Sequence, residues 1–323
     1  MAAHDTCKES LMRIVAFLVA FGVSATAAAA DTIRIVIPYA PGGALDPLAR
    51  ILANGLGKVR PGDAIVVENI GGAGGMLGMS TVAKAPPDGR TFLFSPSGNI
   101  VISPWLQTTP YDVTKAFEPI ALVGSVKSAM IVRASLGVNT LAELIALSKK
   151  GTKLTYGSPG IGTSPHISGA ILNHAAGIAI THVPYRGLGP ALNDIVGGHI
   201  DAITTSVIGV LPYVQGGTAR ALATFDTERS DRLPDVPTTV ELGFPDLVMP
   251  QWYGLLAPAG LPPDLRKTLE AQVLAVLRSE EVVKQFAASG VADPKGTADL
   301  QAMLDADVKK WPSLLPKLGI TAQ

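Results

Sequence analysis

The sequence predicts an α/β protein of two lobes, each a mainly parallel sheet flanked by helices. Three observations lead there. Short β-branched runs alternate with helical patterns, and that alternation runs through the chain twice. The 323 residues suffice for about two domains of ~100–200 residues each. Hydrophobic residues at 47% against 16% charged supply a substantial core.

Taken in order, the chain opens on a targeting segment. Arg13 precedes the apolar run Ile14 to Val23, and Ser24 to Ala30 follow as small residues. That is the pattern of a secretory signal peptide cleaved after Ala30, with an apolar core shorter than the ~20 residues of a membrane span. Met12 makes a better start than Met1, because Asp5 and Glu9 dilute the positive charge that should precede the core. Cys7 is the only cysteine and lies ahead of that core, so the mature chain is expected to hold no disulfide and no thiolate-bound metal.

After the leader, Ile33–Ile37, Ala64–Glu68 and Thr91–Phe94 read as strands. Helices are expected from Pro47 to Leu56 and from near Gly75. The pattern resumes with strands at Leu154–Tyr156, Ala179–Val183, Ala202–Thr205 and Ala219–Thr224. Between them lie helices at Pro165–Ala175 and Pro190–Val196, and the tail is helical over Pro263–Leu277 and Glu280–Ala288. Crossovers between lobes are expected near Val132 and near Gly254. They divide the chain into residues 1–30 (signal peptide), 31–132 with 255–323 (first lobe) and 133–254 (second lobe).

Three strand-to-helix junctions share one construction: Pro38 to Pro47, Gly157 to Pro165, and Tyr185 to Pro190. Each sets glycines before a helix start. Asp46 and Ser164 stand where an N-cap belongs, with Pro47 and Pro165 next. Glycine lets a ligand approach the backbone, and the unpaired N–H groups of a first helical turn favour an anion. One such junction is an ordinary capped turn. Three of them, shared between two lobes, indicate a binding cleft at the carboxyl ends of the strands.

Other chemistries find no support in the residue pattern. Lys plus Arg and Asp plus Glu both number 26, so the basic excess of a nucleic-acid binder is missing. The run Gly71 to Gly78 resembles a dinucleotide fingerprint, but the third glycine would fall at Leu77. There is no G-x-S-x-G elbow, P-loop or H-E-x-x-H, and His166, His174, His182 and His199 lack metal-ligand spacing. No catalytic residue, cofactor or metal is therefore expected, and no obligate subunit interface is signalled.

The sequence resembles the Bug family of periplasmic solute receptors of tripartite tricarboxylate transporters. The resemblance rests on Pro41-Gly42-Gly43-Ala44-Leu45-Asp46, Tyr156 to His166, and His182-Val183-Pro184-Tyr185-Arg186-Gly187. It is extended by Asp235-Val236-Pro237-Thr238 and by Trp252 to Pro258. It runs over essentially the whole mature chain. One departure is Ile70-Gly71 after Asn69, where the family commonly has Arg-Pro.

The resemblance implies a type II periplasmic-binding-protein fold that closes on a small carboxylate. It also implies a place in the periplasm, with the permease subunits of the transporter as partners, and a neutral two-lobed receptor without an obligate interface is expected to be a monomer. Carried onto this chain, ligand contacts fall in the first lobe to Tyr39, Gly42, Gly43, Ala44 and Ser97. In the second lobe they fall to Gly160, Gly162, Thr163, Ser164 and His166, then to Tyr185, Arg186, Gly187 and Ser206. Arg186 is the one permanently charged member, able either to pair with a carboxylate through its planar fork or to form a surface ion pair. A ligand-sensing role and a hydrolase using the same cleft are the alternative readings.

Overall fold

The structure, a computed structural model, describes residues 32–249, 251–292, 294–316 and 320. The expected signal peptide, Met12 and Cys7 lie outside the described residues.

In chain order the first lobe runs β1 (Thr32–Ile37), α1 (Leu45–Val59), β2 (Ala64–Asn69), α2 (Met76–Ala83), β3 (Thr91–Pro96), α3 (Ser97–Val101) and β4 (Phe117–Val126). The second lobe follows with β5 (Ser128–Arg133), α4 (Leu141–Lys149), β6 (Thr155–Ser158), α5 (Ser164–Ala176) and β7 (Thr181–Pro184). It continues through α6 (Leu188–Gly197), β8 (Ala202–Ser206), α7 (Val207–Gln215) and β9 (Ala219–Thr224). The chain then returns through β10 (Gln251–Pro258), α8 (Pro263–Leu277), α9 (Glu280–Ala288) and α10 (Thr297–Leu314).

The two five-stranded sheets have the orders β2-β1-β3-β10-β4 and β7-β6-β8-β5-β9. Each follows one plan: three parallel strands, then one antiparallel strand contributed by the segment that has just crossed over. The parallel strands are those expected from their β-branched runs. The crossovers are placed differently from the expectation. Val132 lies inside β5, which pairs with β8 and β9, and Gly254 lies inside β10, which pairs with β3 and β4. The chain leaves the first sheet at Lys127 and re-enters it at Gln251. β4 and β10 escape a sequence reading because Pro119, Gly124 and Gly254 interrupt them, and their pairing carries register shifts where those breaks fall.

Several helix starts also differ by one or two residues from the expected ones. α1 begins at Leu45 after Ala44, so Asp46 sits in its first turn rather than at the cap. α5 begins at Ser164 itself, with Thr163 as the residue before it, and α6 begins at Leu188 after Gly187. In α1 the apolar positions Leu45, Leu48, Leu52 and Leu56 recur at helical spacing and face inward. Leu48 and Leu52 are fully buried, a burial worth about 1.5–3 kcal/mol each. α8 and α9 pack on α1 and α10 packs on β4, so the C-terminal helices return to the first lobe. The Trp252 indole N–H donates to Asp307 Oδ2 at 3.0 Å and pins β10 to α10. The Lys127 ammonium donates to the carbonyls of Glu228 (3.1 Å) and Arg229 (2.9 Å), tying the first crossover to the segment that makes the second.

Candidate functional site

The loops after β1, β6 and β7 leave their sheets at carboxyl ends and meet between the lobes. The first two of these loops, with Leu188 at the start of α6, line a cavity of about 40 Å³, room for about three waters. α1, α5, α6 and α7 all begin at or beside this cavity, so their positive dipole ends converge there, although the Asp46 amide of α1 and the Val207 amide of α7 already donate to the Gly43 and Lys127 carbonyls. Asp46 is the one charged side chain in the lining.

Asp46 organises the first loop. Its Oδ2 accepts from the Gly43 amide at 2.9 Å and its Oδ1 from Asn69 Nδ2 at 2.8 Å. Asn69 also donates to the Tyr39 carbonyl at 3.2 Å, so the residue beside the family departure holds this loop directly. The Tyr39 hydroxyl donates to Asn99 Oδ1, and Asn99 Nδ2 donates to the Gly74 carbonyl at 2.6 Å. Burial raises the Tyr39 hydroxyl above its ordinary pKa, and burial pushes that of Tyr253 up to about 12. Both phenols therefore stay neutral hydrogen-bonding groups at physiological pH.

The second loop is braced from behind. Ser158 Oγ lies 2.6 Å from His182 Nε2, and Thr163 Oγ1 donates to the Gly160 carbonyl at 2.7 Å. The His166 ring stacks on His182 with centroids 4.1 Å apart, and its Nδ1 accepts from the Gly162 amide at 3.2 Å. Burial lowers the His166 pKa to about 4. Burial and the neighbouring His166 together lower that of His182 to about 3. The pair is a neutral prop under the loop, 16 residues apart in sequence and joined only by the fold.

The lobes touch at several points around the cavity. The Ala40 amide donates to the Arg186 carbonyl at 3.2 Å, and Gln107 Nε2 donates to the Ile161 carbonyl at 2.5 Å. Gly98 of α3 abuts the start of α5 so closely that a Cβ there would lie 2.6 Å from Ser164 N. Gly160, at φ +147, lies over Gly74, where a Cβ would fall 2.5 Å from the Gly74 Cα. The Gly71–Gly78 run is thus a close-contact surface between lobes.

Of the residues expected in the site, Tyr39, Gly43, Ala44, Thr163, Ser164 and Ser206 line the cavity. Gly42, Gly160, Gly162 and Gly187 belong to the same loops, and Ser97 begins α3, but all five lie outside the lining. His166 is the prop just described. Tyr185 donates to Asp194 Oδ2 of α6 at 2.6 Å, and Arg186 is exposed with its carbonyl turned to Ala40. The lining also holds Asp46, Asn99, Thr205, Gln251 and Tyr253, none of which was expected there. Tyr253 had a signal, since it lies in the run Trp252 to Pro258. Gln251 had none.

Residues 48–320 match the family described as "Tripartite tricarboxylate transporter family receptor". Protein BugT of Bordetella pertussis is 32% identical over 318 residues, covering 96% of this chain and 97% of that protein. An R. palustris protein solved with adipate superposes with a TM-score of 0.85 at 28% identity, over 90% of this chain and 98% of that one. MatC from Rhodopseudomonas palustris, solved with bound malate, gives a TM-score of 0.82 at 28% identity, over 88% and 98% respectively. The order of strands, the cleft between two sheets and these likenesses agree, and the chain belongs to the tripartite tricarboxylate transporter family of receptors.

Proposed function

We propose that this chain is an extracytoplasmic receptor that takes up a small organic carboxylate between its lobes. It then delivers that ligand to the membrane permease subunits of a tripartite transporter. The observation that carries the reading is the cavity itself: helix N-termini from both lobes open onto it, and the carboxylate of its one charged lining residue, Asp46, is taken up by the Gly43 amide and Asn69. Such a site favours an anion through backbone N–H groups and dipoles. The Ala44 and Leu45 amides of α1 and the amide and hydroxyl of Ser164 at the start of α5 are the assigned carboxylate donors. The adipate and malate held by the two R. palustris relatives support the ligand class.

The site works by closure. A cavity of about 40 Å³ admits an organic acid only when the lobes part, and the two crossovers beside Lys127 and Gln251 are the places to bend. Ligand favours the closed form by the contacts it makes there and not in the open form. The signal peptide expected at residues 1–30 supports a periplasmic location for this cycle, and among the described residues no helix is long and apolar enough to cross a membrane.

The test is a thermal-shift screen of residues 31–323, refolded free of ligand, against mono-, di- and tricarboxylates, aromatic acids and neutral sugars. An acid present at ~1,000 times its Kd adds about 4 kcal/mol of stability. Selective stabilisation by one class of acid is the expected result. Stabilisation by sugars and by no acid overturns the reading.

A further inference from the structure

The cation that caps α9 comes from the other lobe. α9 ends at Ala288 with no basic residue in its last turn, and the free carbonyls of a helix C-terminus attract a positive charge. Arg232 Nη2 supplies it, donating to the carbonyls of Ala287 at 2.7 Å and Ala288 at 2.9 Å. Arg232 belongs to the second lobe, since Leu233 beside it is buried in the core that holds Ile131, Ile203 and Val210. α9 belongs to the first, since its Val282 and Phe286 are buried in the core that holds Leu48 and Leu52. The arginine is presented on a fixed turn. Ser230 is buried, its hydroxyl accepts from the Arg232 amide at 3.3 Å, and its carbonyl accepts from the Leu233 amide at 2.9 Å. Beside this contact lies a crevice of about 460 Å³, with Ile208 and Leu211 of α7 on one side and Ala288 and Val291 on the other. Lys127 and Gln251, where the chain crosses between lobes, also line it.

We infer that Arg232 is an interlobe clasp, fastening the second lobe to the C-terminus of α9 in the closed arrangement and releasing it when the lobes part. The inference rests on the lobe closure proposed above and not on the nature of the ligand. The two ends of the clasp sit on different bodies, so rotation about the crossovers changes their separation. Hydrogen bonds of 2.7 and 2.9 Å tolerate a change of only a few tenths of an ångström. Arg232 is a positioning residue: it lies outside the cavity lining and acts by raising the fraction of chains that are closed before a ligand arrives. Apparent affinity scales with that fraction, so the clasp tightens binding of whatever the cleft accepts.

The experiment reads closure without any ligand. Residues 31–323 contain no cysteine. A Cβ at Gly43 would lie 3.8 Å from the Leu188 Cβ across the cleft, an ordinary Cβ separation for a disulfide. The Gly43→Cys, Leu188→Cys protein is therefore oxidised with glutathione disulfide, alone and together with Arg232→Met or Arg232→Lys. Alkylation of each single-cysteine protein corrects for thiol reactivity. Arg232→Met should slow trapping about two- to fivefold, the effect of losing a cation at a helix C-terminus. Arg232→Lys, which keeps the charge, should restore most of the rate. An unchanged rate in Arg232→Met, with or without a lower unfolding temperature, would mark the contact as one made in open and closed forms alike and overturn the clasp. Faster trapping would assign the contact to the open form and overturn it too. Absence of trapping in the parent pair would overturn the closure reading and the clasp together. Trapping that behaves as expected in a protein that binds no acid would leave the clasp standing and overturn the carboxylate reading alone.

Discussion

Replacing Gly98 by alanine tests whether the lobe contacts belong to a closed, ligand-bound form. Gly98 lies in α3 with no positive φ, so alanine fits its own backbone and improves helix propensity by about 1 kcal/mol. The difficulty is across the cleft. The new Cβ would stand 2.6 Å from both the amide nitrogen and the hydroxyl of Ser164 and 3.3 Å from the Thr163 carbonyl carbon. Ordinary contact begins at 3.4 Å, so the first lobe must back away from the second by roughly the difference. Overpacking of this kind costs about 1–3 kcal/mol. If the contact forms only on closure, the whole penalty falls on the closed state, and ligand affinity drops about 5- to 150-fold. Calorimetry with the best acid from the screen measures that, and thermal unfolding of the unliganded variant supplies the control. An unchanged Kd would refute the contact. A loss of 1–3 kcal/mol in the unliganded protein would refute its dependence on closure.

Acidification and Arg186 provide two further tests. An unfolded histidine titrates near 6.5, whereas His166 in the fold stays neutral to about 4 and His182 to about 3. Their contribution is fully present above pH 6.5 and is lost as pH falls through the folded values, because the unfolded chain binds more protons in that window. At pH 5 His166 alone removes about 2 kcal/mol relative to neutral pH. Denaturant unfolding at pH 7 and pH 5 should show this loss, and a His166→Gln, His182→Gln variant should lack it; an identical pH dependence in the variant would show that the rings are not the cause. Arg186→Ala should alter acid affinity by less than about twofold, since the guanidinium is exposed and outside the cavity lining. A tenfold loss, greater for diacids than monoacids, would show instead that it reaches the ligand.

The sequence by itself determined the elements whose signals are local. The β-branched runs of β1 and β8, the phenylalanine-rich run of β3, the helical spacing of Leu45, Leu48, Leu52 and Leu56, and the glycines ahead of α1, α5 and α6 are all readable within a dozen residues. Steric preference and capping act over that range. Tyr39, Gly43, Ala44, Thr163 and Ser164 lie in strand–glycine–helix junctions that declare where backbone donors gather, but as ligand contacts they, and Ser206, were named by the family resemblance.

Tertiary structure decided what depends on distant partners. The lobe to which β5 and β10 belong is set by hydrogen bonds to strands far along the chain, and no local pattern in Ser128–Arg133 or Gln251–Pro258 encodes it. His166 meets His182 only because β6 and β7 lie side by side with α5 packed over them. Gln251 enters the cavity only because the returning strand is laid between β3 and β4 at the point where the lobes join. A lone glutamine at a strand start has no sequence signature. Its burial among the residues that line the cavity, visible only in the folded chain, is what marks it.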